Sequence, residues 1–328
     1  MVQAAFDKLL GTIGLSASQK SQGSTSHQYV RGLLDKKWQS DSSFPWLVEG
    51  DFLSGSYARG TKIHPLNDID VMVVLDGTGL TAFDKGQTLN AEVRGAGTAG
   101  SPVNSYTYNQ FGHISSKMVL EKFHDALKET YPNSEIKKHG QAVNVWLDSY
   151  QLGLDIVPCF HIMPRDGRRD FYYIPAGGDQ HTWLSTNPKI DKEIVDAMDT
   201  FHDGKFKPVV RLLKHWNEVH NASRLESYHI ETVAVYALGW EQKITDHADG
   251  VRRFFSNAGI HLQNPCPDMT QLGGPVDTYL SQEARQATVQ KLREALQHLT
   301  TPPSAGLITL PAHQLGGWRK IYGVSFGV

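Results

Sequence analysis

The chain of 328 residues has only two cysteines and almost no net charge, and both shortages exclude classes of protein. Cys159 and Cys266 are too few and too far apart for a disulfide framework or a four-cysteine zinc site, which fits a reducing, cytoplasmic location. The 15 histidines show neither the HExxH pattern nor zinc-finger spacing. A formal net charge of −2 gives no overall basic surface, so long nucleic acid is not indicated as a partner.

Long apolar runs and P-loop motifs are also missing. Residues 1–15 include Asp7 and Lys8 and contain no uninterrupted apolar run, so neither a signal peptide nor a membrane span is predicted. No Walker A sequence occurs, which argues against a P-loop ATPase. The length is sufficient for one large domain or for two lobes with a substantial core.

A turn of small residues followed by two carboxylates is the most informative feature that is present. The segment GSYARGT at positions 55–61 precedes the segment DIDVMVV at positions 68–74. Because side chains alternate along a strand, Asp68 and Asp70 share one face and Ile69 faces the core. Two close like charges are unfavourable without a cation between them, and Mg²⁺ bound to a nucleoside triphosphate suits these oxygen ligands. The alternative is a strand edge with solvated aspartates after a glycine turn.

A third carboxylate is expected, because two metal ions need more ligands than one aspartate pair supplies. Residues 142–147 and 152–160 are predicted to form two strands joined by a polar turn. Asp155 lies within the otherwise apolar second strand, where an acid is unfavourable unless it has a partner. Asp148 is the competing candidate, but its position in the turn has an ordinary local explanation. Asp155 is therefore the predicted third carboxylate.

The ordered set of motifs resembles the nucleotidyltransferase superfamily of DNA polymerase beta. Within that superfamily it is similar to the bacterial CD-NTases, which are cyclic-oligonucleotide synthases related to animal cGAS and oligoadenylate synthases. The resemblance rests on the two aspartate motifs and on three later segments, VRLLKHW at 210–216, ESYHIE at 226–231 and WRKIYG at 318–323. These motifs run in order over most of the chain.

The resemblance implies an α+β fold with two lobes. A polymerase-beta-like core with a mixed sheet and N-terminal helices is expected at residues 1–185, and a helical lobe of the oligoadenylate synthase and cGAS type at 186–328. The apolar patterns agree, because they predict strands at 47–53 and 69–75, a helix at 115–130, and helices at 190–201, 208–219, 229–241 and 282–299. Residues 77–113 show little periodicity and are predicted to form a long loop.

The glycine turn is predicted to hold phosphate. Gly55 permits close backbone approach, and Ser56 offers a hydroxyl and an N–H at the start of a helical turn, where anions are favoured. The resemblance implies that these two residues hold the β- and γ-phosphates of a donor nucleotide. Arg59 and Thr61 either contact phosphate as well or brace the loop.

The helical lobe is expected to complete the nucleotide site. Lys207, Arg211 and Lys214 share one helix face by their spacing, which by itself is typical of a solvated surface. The resemblance implies that Lys214 contacts the triphosphate, that Ser227 contacts phosphate, and that Tyr228 stacks on the donor base. Without the resemblance, Tyr228 would be interpreted as a core residue.

The resemblance implies a metal-dependent transfer reaction. Asp68, Asp70 and Asp155 are the expected catalytic and metal-binding residues for two Mg²⁺ ions, with Mn²⁺ as an alternative. The expected substrates are nucleoside triphosphates, including ATP, and the product is a cyclic dinucleotide or trinucleotide second messenger in antiphage signalling. A HORMA-domain protein or another activator and a downstream effector are the implied partners, although some relatives are constitutively active.

Three other functions stay open at this level. The first is a template-independent nucleotidyltransferase that acts on RNA ends, of the CCA-adding or poly(A) type, although it would be expected to show a basic groove. The second is a protein-modifying nucleotidyltransferase of the toxin type, although these are usually much shorter. The third is a nucleotide sensor without catalysis, which loss of a metal carboxylate would signal.

Overall fold

The computed structural model describes residues 1–48, 50–84, 90–162, 171–271, 273–300, 310–323 and 325–327. The strands are β1 Phe52–Ser54, β2 Asp68–Leu75, β3 Leu80–Asp84, β4 Asn90–Gly95, β5 Glu135–His139, β6 Ala142–Leu147, β7 Leu152–Ile162, β8 Phe171–Pro175 and β9 Trp183–Thr186. The helices are α1 Val2–Ile13, α2 Ala17–Ser40, α3 Gly55–Ala58, α4 Ser116–Thr130, α5 Pro188–Phe201, α6 Phe206–His220, α7 Ser227–Leu238, α8 His247–Gln263, α9 Gln282–Thr300 and α10 Leu310–Tyr322.

The strands form one mixed sheet in the order β1-β2-β7-β8-β9-β4-β3, and β6 pairs with both β5 and β7. Only the β2–β7 pair is parallel among the described pairings, so these two central strands run side by side in the same direction. From Val71 onward every residue of β2 is buried, because helices cover one face and a smaller apolar cluster covers the other. The predicted mixed sheet is confirmed.

Most of the predicted elements are found close to their expected bounds. The strand predicted at 142–147 is β6 with the same ends, and the helix predicted at 115–130 is α4. The strand predicted at 47–53 is shorter, since β1 begins at Phe52, and Leu47 forms an isolated bridge with Leu75. Helix α8 was not predicted, although Asp246 caps its N-terminus by accepting a hydrogen bond from the N–H of Asp249 at 2.8 Å.

The prediction of a long loop at residues 77–113 is wrong where this segment forms two strands and a 3-10 helix. Strands β3 and β4 form an antiparallel pair, a 3-10 helix covers Pro102–Ser105, and residues 85–89 lie outside the described ranges. Ala91 and Val93 are fully buried, and β4 pairs with β9 through Ala91 and Trp183. The segment is ordered by a distant strand, a partner that local periodicity does not reveal.

The C-terminal helices enclose a second core, and α1 belongs to it. Phe6 of α1 is fully buried, and its ring lies 4.9 Å from that of Trp318 and 4.9 Å from that of Phe326. The first helix therefore packs with the last one, whereas α2 packs on the sheet.

The division of the chain into two lobes at residue 185 stays a prediction. No described helix has the length and apolar character needed to cross a membrane.

Candidate active site

The phosphate-binding turn predicted from the sequence lies against the carboxylate of Asp70. Strand β1 ends at Ser54, which pairs with Asp70 of β2, and Gly55 begins α3 with a φ of 65°. A Cβ atom at position 55 would lie 1.7 Å from Oδ2 of Asp70, so only glycine fits between turn and carboxylate. The carbonyl of Ser56 accepts hydrogen bonds from the N–H groups of Thr61 at 3.0 Å and Lys62 at 3.1 Å, which closes the turn.

The parallel pairing of β2 with β7 brings Asp155 beside Asp70. The two residues are direct partners in the register, and Asp68 lies two positions earlier on the same face of β2. The competing candidate, Asp148, lies in a 3-10 helix and accepts a local hydrogen bond from Nε1 of Trp146 at 2.8 Å. The structure therefore places the three predicted carboxylates at neighbouring positions of two adjacent strands.

The electrostatics of this group favour a bound cation. Burial, followed by the negative charges of Asp155 and Asp68, raises the pKa of Asp70 to about 6. Burial also raises the pKa of Asp155, although Nδ2 of Asn144 donates to its Oδ1 at 2.8 Å. Asp68 forms an ion pair with Lys62. Within the described ranges, no set of three His, Cys, Asp or Glu side chains is already arranged around a metal position.

A cleft of about 560 Å³ opens on this group from the side of the helical lobe. Asp70 and Asp155 line it together with Tyr228, which is the second residue of α7. The hydroxyl of Tyr228 lies 2.7 Å from Oδ1 of Asp191 and is also hydrogen-bonded to Asp268, so the ring is held at its outer end. Burial, followed by these carboxylates, keeps the pKa of Tyr228 well above its usual value. The tyrosine is therefore neutral and fixed in orientation.

A second, polar cavity of about 290 Å³ lies on the other side of the aspartates. Asp68 lines it together with Lys62, Lys214 and Ser227, which is the first residue of α7. Six of the predicted residues are thus divided between two cavities, whereas Gly55 and Ser56 line neither of them. Asp70, Asp155 and Tyr228 line the first, and Asp68, Lys214 and Ser227 line the second.

A buried carboxylate that the sequence analysis did not assign to the site, Glu231, joins the glycine turn to the helical lobe. It accepts hydrogen bonds from Nε of Arg59 at 2.5 Å, from Nζ of Lys214 at 2.7 Å and from Oγ1 of Thr61 at 2.8 Å. Arg59 and Thr61 therefore brace the loop, which is one of the two roles that the sequence left open. An acid in the apolar sequence of α7 was the available signal, because a buried charge requires partners.

Charge pairing, rather than solvent, stabilises this network. Burial opposes ionisation of Glu231, but the charges of Arg59 and Lys214 dominate and lower its pKa to about 2. Burial lowers the pKa of Lys214, which the Glu231 charge opposes. Lys207, on the same face of α6, instead pairs with Asp196 at 2.6 Å and lines neither cavity. The predicted basic stripe is therefore not a uniform solvated surface.

Comparisons with known proteins agree with the fold and with the motifs. Residues 1–94 and 92–198 match the Second Messenger Oligonucleotide or Dinucleotide Synthetase domain, SMODS. The chain is 24% identical to a protein of Bacillus cereus strain VD146 named as a probable cyclic nucleotide synthase, over 98% of this chain and 97% of that protein. It is 25% identical to a cyclic AMP-AMP-AMP synthase of Escherichia coli strain MS 115-1, over 83% of this chain and 82% of that protein.

Two solved structures share the fold across the chain. The structure of E. coli MS115-1 CdnC with ATP matches with a TM-score of 0.68 and 17% identity, over 100% of this chain and 99% of that one. The complex of CdnC with HORMA-deltaN matches with a TM-score of 0.67 and the same coverage. The predicted α+β fold with a helical C-terminal region is confirmed. The chain therefore belongs to the SMODS family, and it is a nucleotidyltransferase of the bacterial CD-NTase group.

Proposed function

We propose that the protein joins nucleoside triphosphates, including ATP, into a cyclic dinucleotide or trinucleotide. The observation that carries this proposal is the register of β2 with β7, which puts Asp155 beside Asp70 directly behind the Gly55 turn. The names of the relatives, "Probable cyclic nucleotide synthase" and "Cyclic AMP-AMP-AMP synthase", support the same reaction class. The SMODS match favours this function over the addition of nucleotides to RNA ends.

Asp68, Asp70 and Asp155 would hold two Mg²⁺ ions, or Mn²⁺ in their place. The donor set fits these hard cations, because it consists of carboxylate oxygens on two adjacent strands, and mutual repulsion already raises the pKa of Asp70 beyond the effect of burial. When bound, such ions neutralise charge on the triphosphate and lower the pKa of an attacking hydroxyl. The side chains of Asp68 and Asp155 would turn from their present partners to do so.

The donor nucleotide would lie across both cavities. Tyr228 offers an aromatic face to the base in the first cavity, and its tethered hydroxyl limits the loss of side-chain entropy on binding. The turn at Gly55 and Ser56 and the side chains of Lys214 and Ser227 would hold the phosphates in and beside the second cavity. The Glu231 network keeps that turn and Lys214 at a fixed distance from each other.

The chemical step would be an in-line displacement at the α-phosphorus. A ribose hydroxyl of the acceptor nucleotide forms the new P–O bond and loses its proton, and the bond to the β-phosphate oxygen breaks so that pyrophosphate leaves. Asp155 would serve chiefly at the attacking hydroxyl. A second transfer onto the first nucleotide closes the ring of a dinucleotide, and a third one closes the ring of a trinucleotide.

A HORMA-domain protein would be the activating partner, and the cyclic nucleotide would act on a downstream effector in antiphage signalling. The match of this chain to CdnC in its complex with HORMA-deltaN, over its full length, supports the first part. The effector and the antiphage role follow from the resemblance to CD-NTases. Product formation by the isolated protein would show that no activator is obligatory.

The proposal is tested by incubating the protein with labelled ATP, GTP, CTP and UTP and with Mg²⁺ or Mn²⁺. We expect mass spectrometry to identify a cyclic product that requires the metal and is absent with Asp155→Asn. Linear products extended from an added RNA end would instead support the RNA-end alternative. Wild-type turnover in Asp155→Asn would refute the assignment of the third carboxylate.

A further inference from the structure

Lys62 lies between the phosphate-binding turn and the first carboxylate. Its N–H donates to the carbonyl of Ser56, which fixes its backbone to the turn. Its ammonium pairs with Asp68 and also donates to Oδ1 of Asn67 at 2.7 Å. The side chain is only 13% exposed, compared with 40% for Asp68. The proposed reaction gives this largely buried cation no role.

The ion pair of Lys62 and the proposed metal ligation compete for one carboxylate. Asp68 is directed toward Lys62, and the described acidic side chains do not converge on a common position. A divalent ion attracts a carboxylate more strongly than an ammonium group does at a similar distance, because its charge is twice as large. Metal binding at Asp68 would therefore weaken the pair and leave the ammonium of Lys62 without its main counter-charge.

An anion that enters the second cavity would give Lys62 a new partner. The second cavity is lined by Lys62, Lys214 and Ser227, whose cations and hydroxyl group suit phosphate oxygens. Glu218, the other carboxylate in the lining, interacts electrostatically with Lys62, but it is exposed, so solvent screens this attraction. The charge of Lys214 is already shared with Glu231, so Lys62 is the cation that metal binding would free.

We propose that Lys62 is an exchanging counter-cation, which neutralises Asp68 before the donor binds and contacts the terminal phosphates of the donor once a divalent ion engages Asp68. This inference rests on the proposed function. It makes Lys62 a further phosphate-contacting residue, on the turn that also carries Gly55 and Ser56. It predicts opposite effects of one substitution on metal binding and on nucleotide binding.

The test is Lys62→Met, which keeps the length of the side chain and removes its charge. We would measure Mn²⁺ affinity without nucleotide by the electron paramagnetic resonance signal of free Mn²⁺. We would then measure, by calorimetry with Mg²⁺ present, the affinities for adenosine and for an ATP analogue with a methylene bridge between the α- and β-phosphates. Lys207→Met is the matched control, because it removes a paired lysine near the turn that lines neither cavity. Thermal melting would check the fold of both variants.

We expect Lys62→Met to bind Mn²⁺ roughly two- to fivefold more tightly, the size of one partly exposed ion pair. We expect its affinity for the ATP analogue to fall about tenfold, as for the loss of a charged hydrogen bond, with adenosine unchanged. Lys207→Met should leave the affinities for Mn²⁺ and for the ATP analogue at their wild-type values. General damage to the fold would lower the affinities for Mn²⁺, the ATP analogue and adenosine together. It would not raise one affinity while lowering another.

Two results would overturn the inference. One is an ATP-analogue affinity of Lys62→Met equal to that of the wild type, and the other is an Mn²⁺ affinity that is unchanged or lower. A wild-type protein that binds neither Mn²⁺ nor the ATP analogue would instead refute the proposed function, and this inference with it. Failure of Lys62→Met alone, with normal binding and cyclic product in the wild type, would leave the proposed function intact.

Discussion

Replacing Asp70 with Asn should stabilise the metal-free protein while abolishing nucleotide transfer. Asn has nearly the same shape as Asp, so the close approach of Gly55 to this side chain is retained. The substitution removes a charge that lies beside Asp155 and Asp68 and is largely removed from water. The same charge is required in the proposed reaction to bind a metal ion. Stability and activity should therefore change in opposite directions.

The size of the stability effect follows from the pKa of Asp70. Burial and the neighbouring carboxylates raise this pKa from 3.8 to about 6, and at about 1.36 kcal/mol per pKa unit this amounts to about 3 kcal/mol. Asp70 keeps some exposure to solvent, so screening should reduce the gain to about 1–2 kcal/mol. With about 2–4 °C per kcal/mol, the melting temperature should rise by roughly 2–8 °C.

The pH dependence gives the sign of the effect. Between the pKa of the unfolded chain near 3.8 and the folded pKa near 6, the folded protein binds more protons at Asp70 than the unfolded chain does. The wild type therefore loses stability through this residue as the pH rises from about 4 to about 6. The difference between Asp70→Asn and the wild type should be close to zero near pH 4 and largest above pH 7.

The assay is thermal melting from pH 4 to pH 8 in the presence of EDTA, with transfer measured separately in Mg²⁺. Asp76→Asn is the matched control, because Asp76 follows the other end of β2 and its hydrogen bonds with Thr78 and Thr98 lower its pKa despite partial burial. That variant should lose stability at neutral pH and keep its activity. A melting temperature of Asp70→Asn below that of the wild type at pH 7, or wild-type turnover, would refute the reasoning.

Three further substitutions test the parts of the site separately. Tyr228→Ala should lower the affinities for adenosine, ADP and ATP alike by about ten- to a hundredfold in calorimetry, because it removes a stacking contact with the base. Unchanged affinities would contradict this role. Lys214→Ala should lower the affinities for ATP and ADP more than the affinity for adenosine. An equal loss of affinity for all three ligands would exclude a phosphate contact. Glu231→Gln should lower the free energy of unfolding, measured by urea denaturation, by about 3–5 kcal/mol, because Arg59 and Lys214 lose their buried counter-charge. A decrease of less than about 1 kcal/mol would contradict the stabilising role of this network.

The sequence by itself determined the turn, the aspartates and most of the strands around them. The turn required glycine at position 55, and the alternation along β2 fixed the faces of Asp68 and Asp70. Both features depend on residues that are adjacent in the chain. Asp155 could be preferred over Asp148 for the same reason, since an acid inside an apolar strand is unfavourable without a partner, whereas an acid in a turn is not. The resemblance to a known family then supplied roles that periodicity alone does not give.

Only the tertiary structure decided which distant residues meet. Glu231 and Arg59 are separated by 172 positions, and no local pattern identified one as the partner of the other. The pairing of β4 with β9 and the packing of Phe6 against Trp318 are likewise absent from any short window of sequence. Hydrophobic periodicity shows which face of an element is buried but not what covers that face. The partners of buried charges and apolar faces are set by how the whole chain packs.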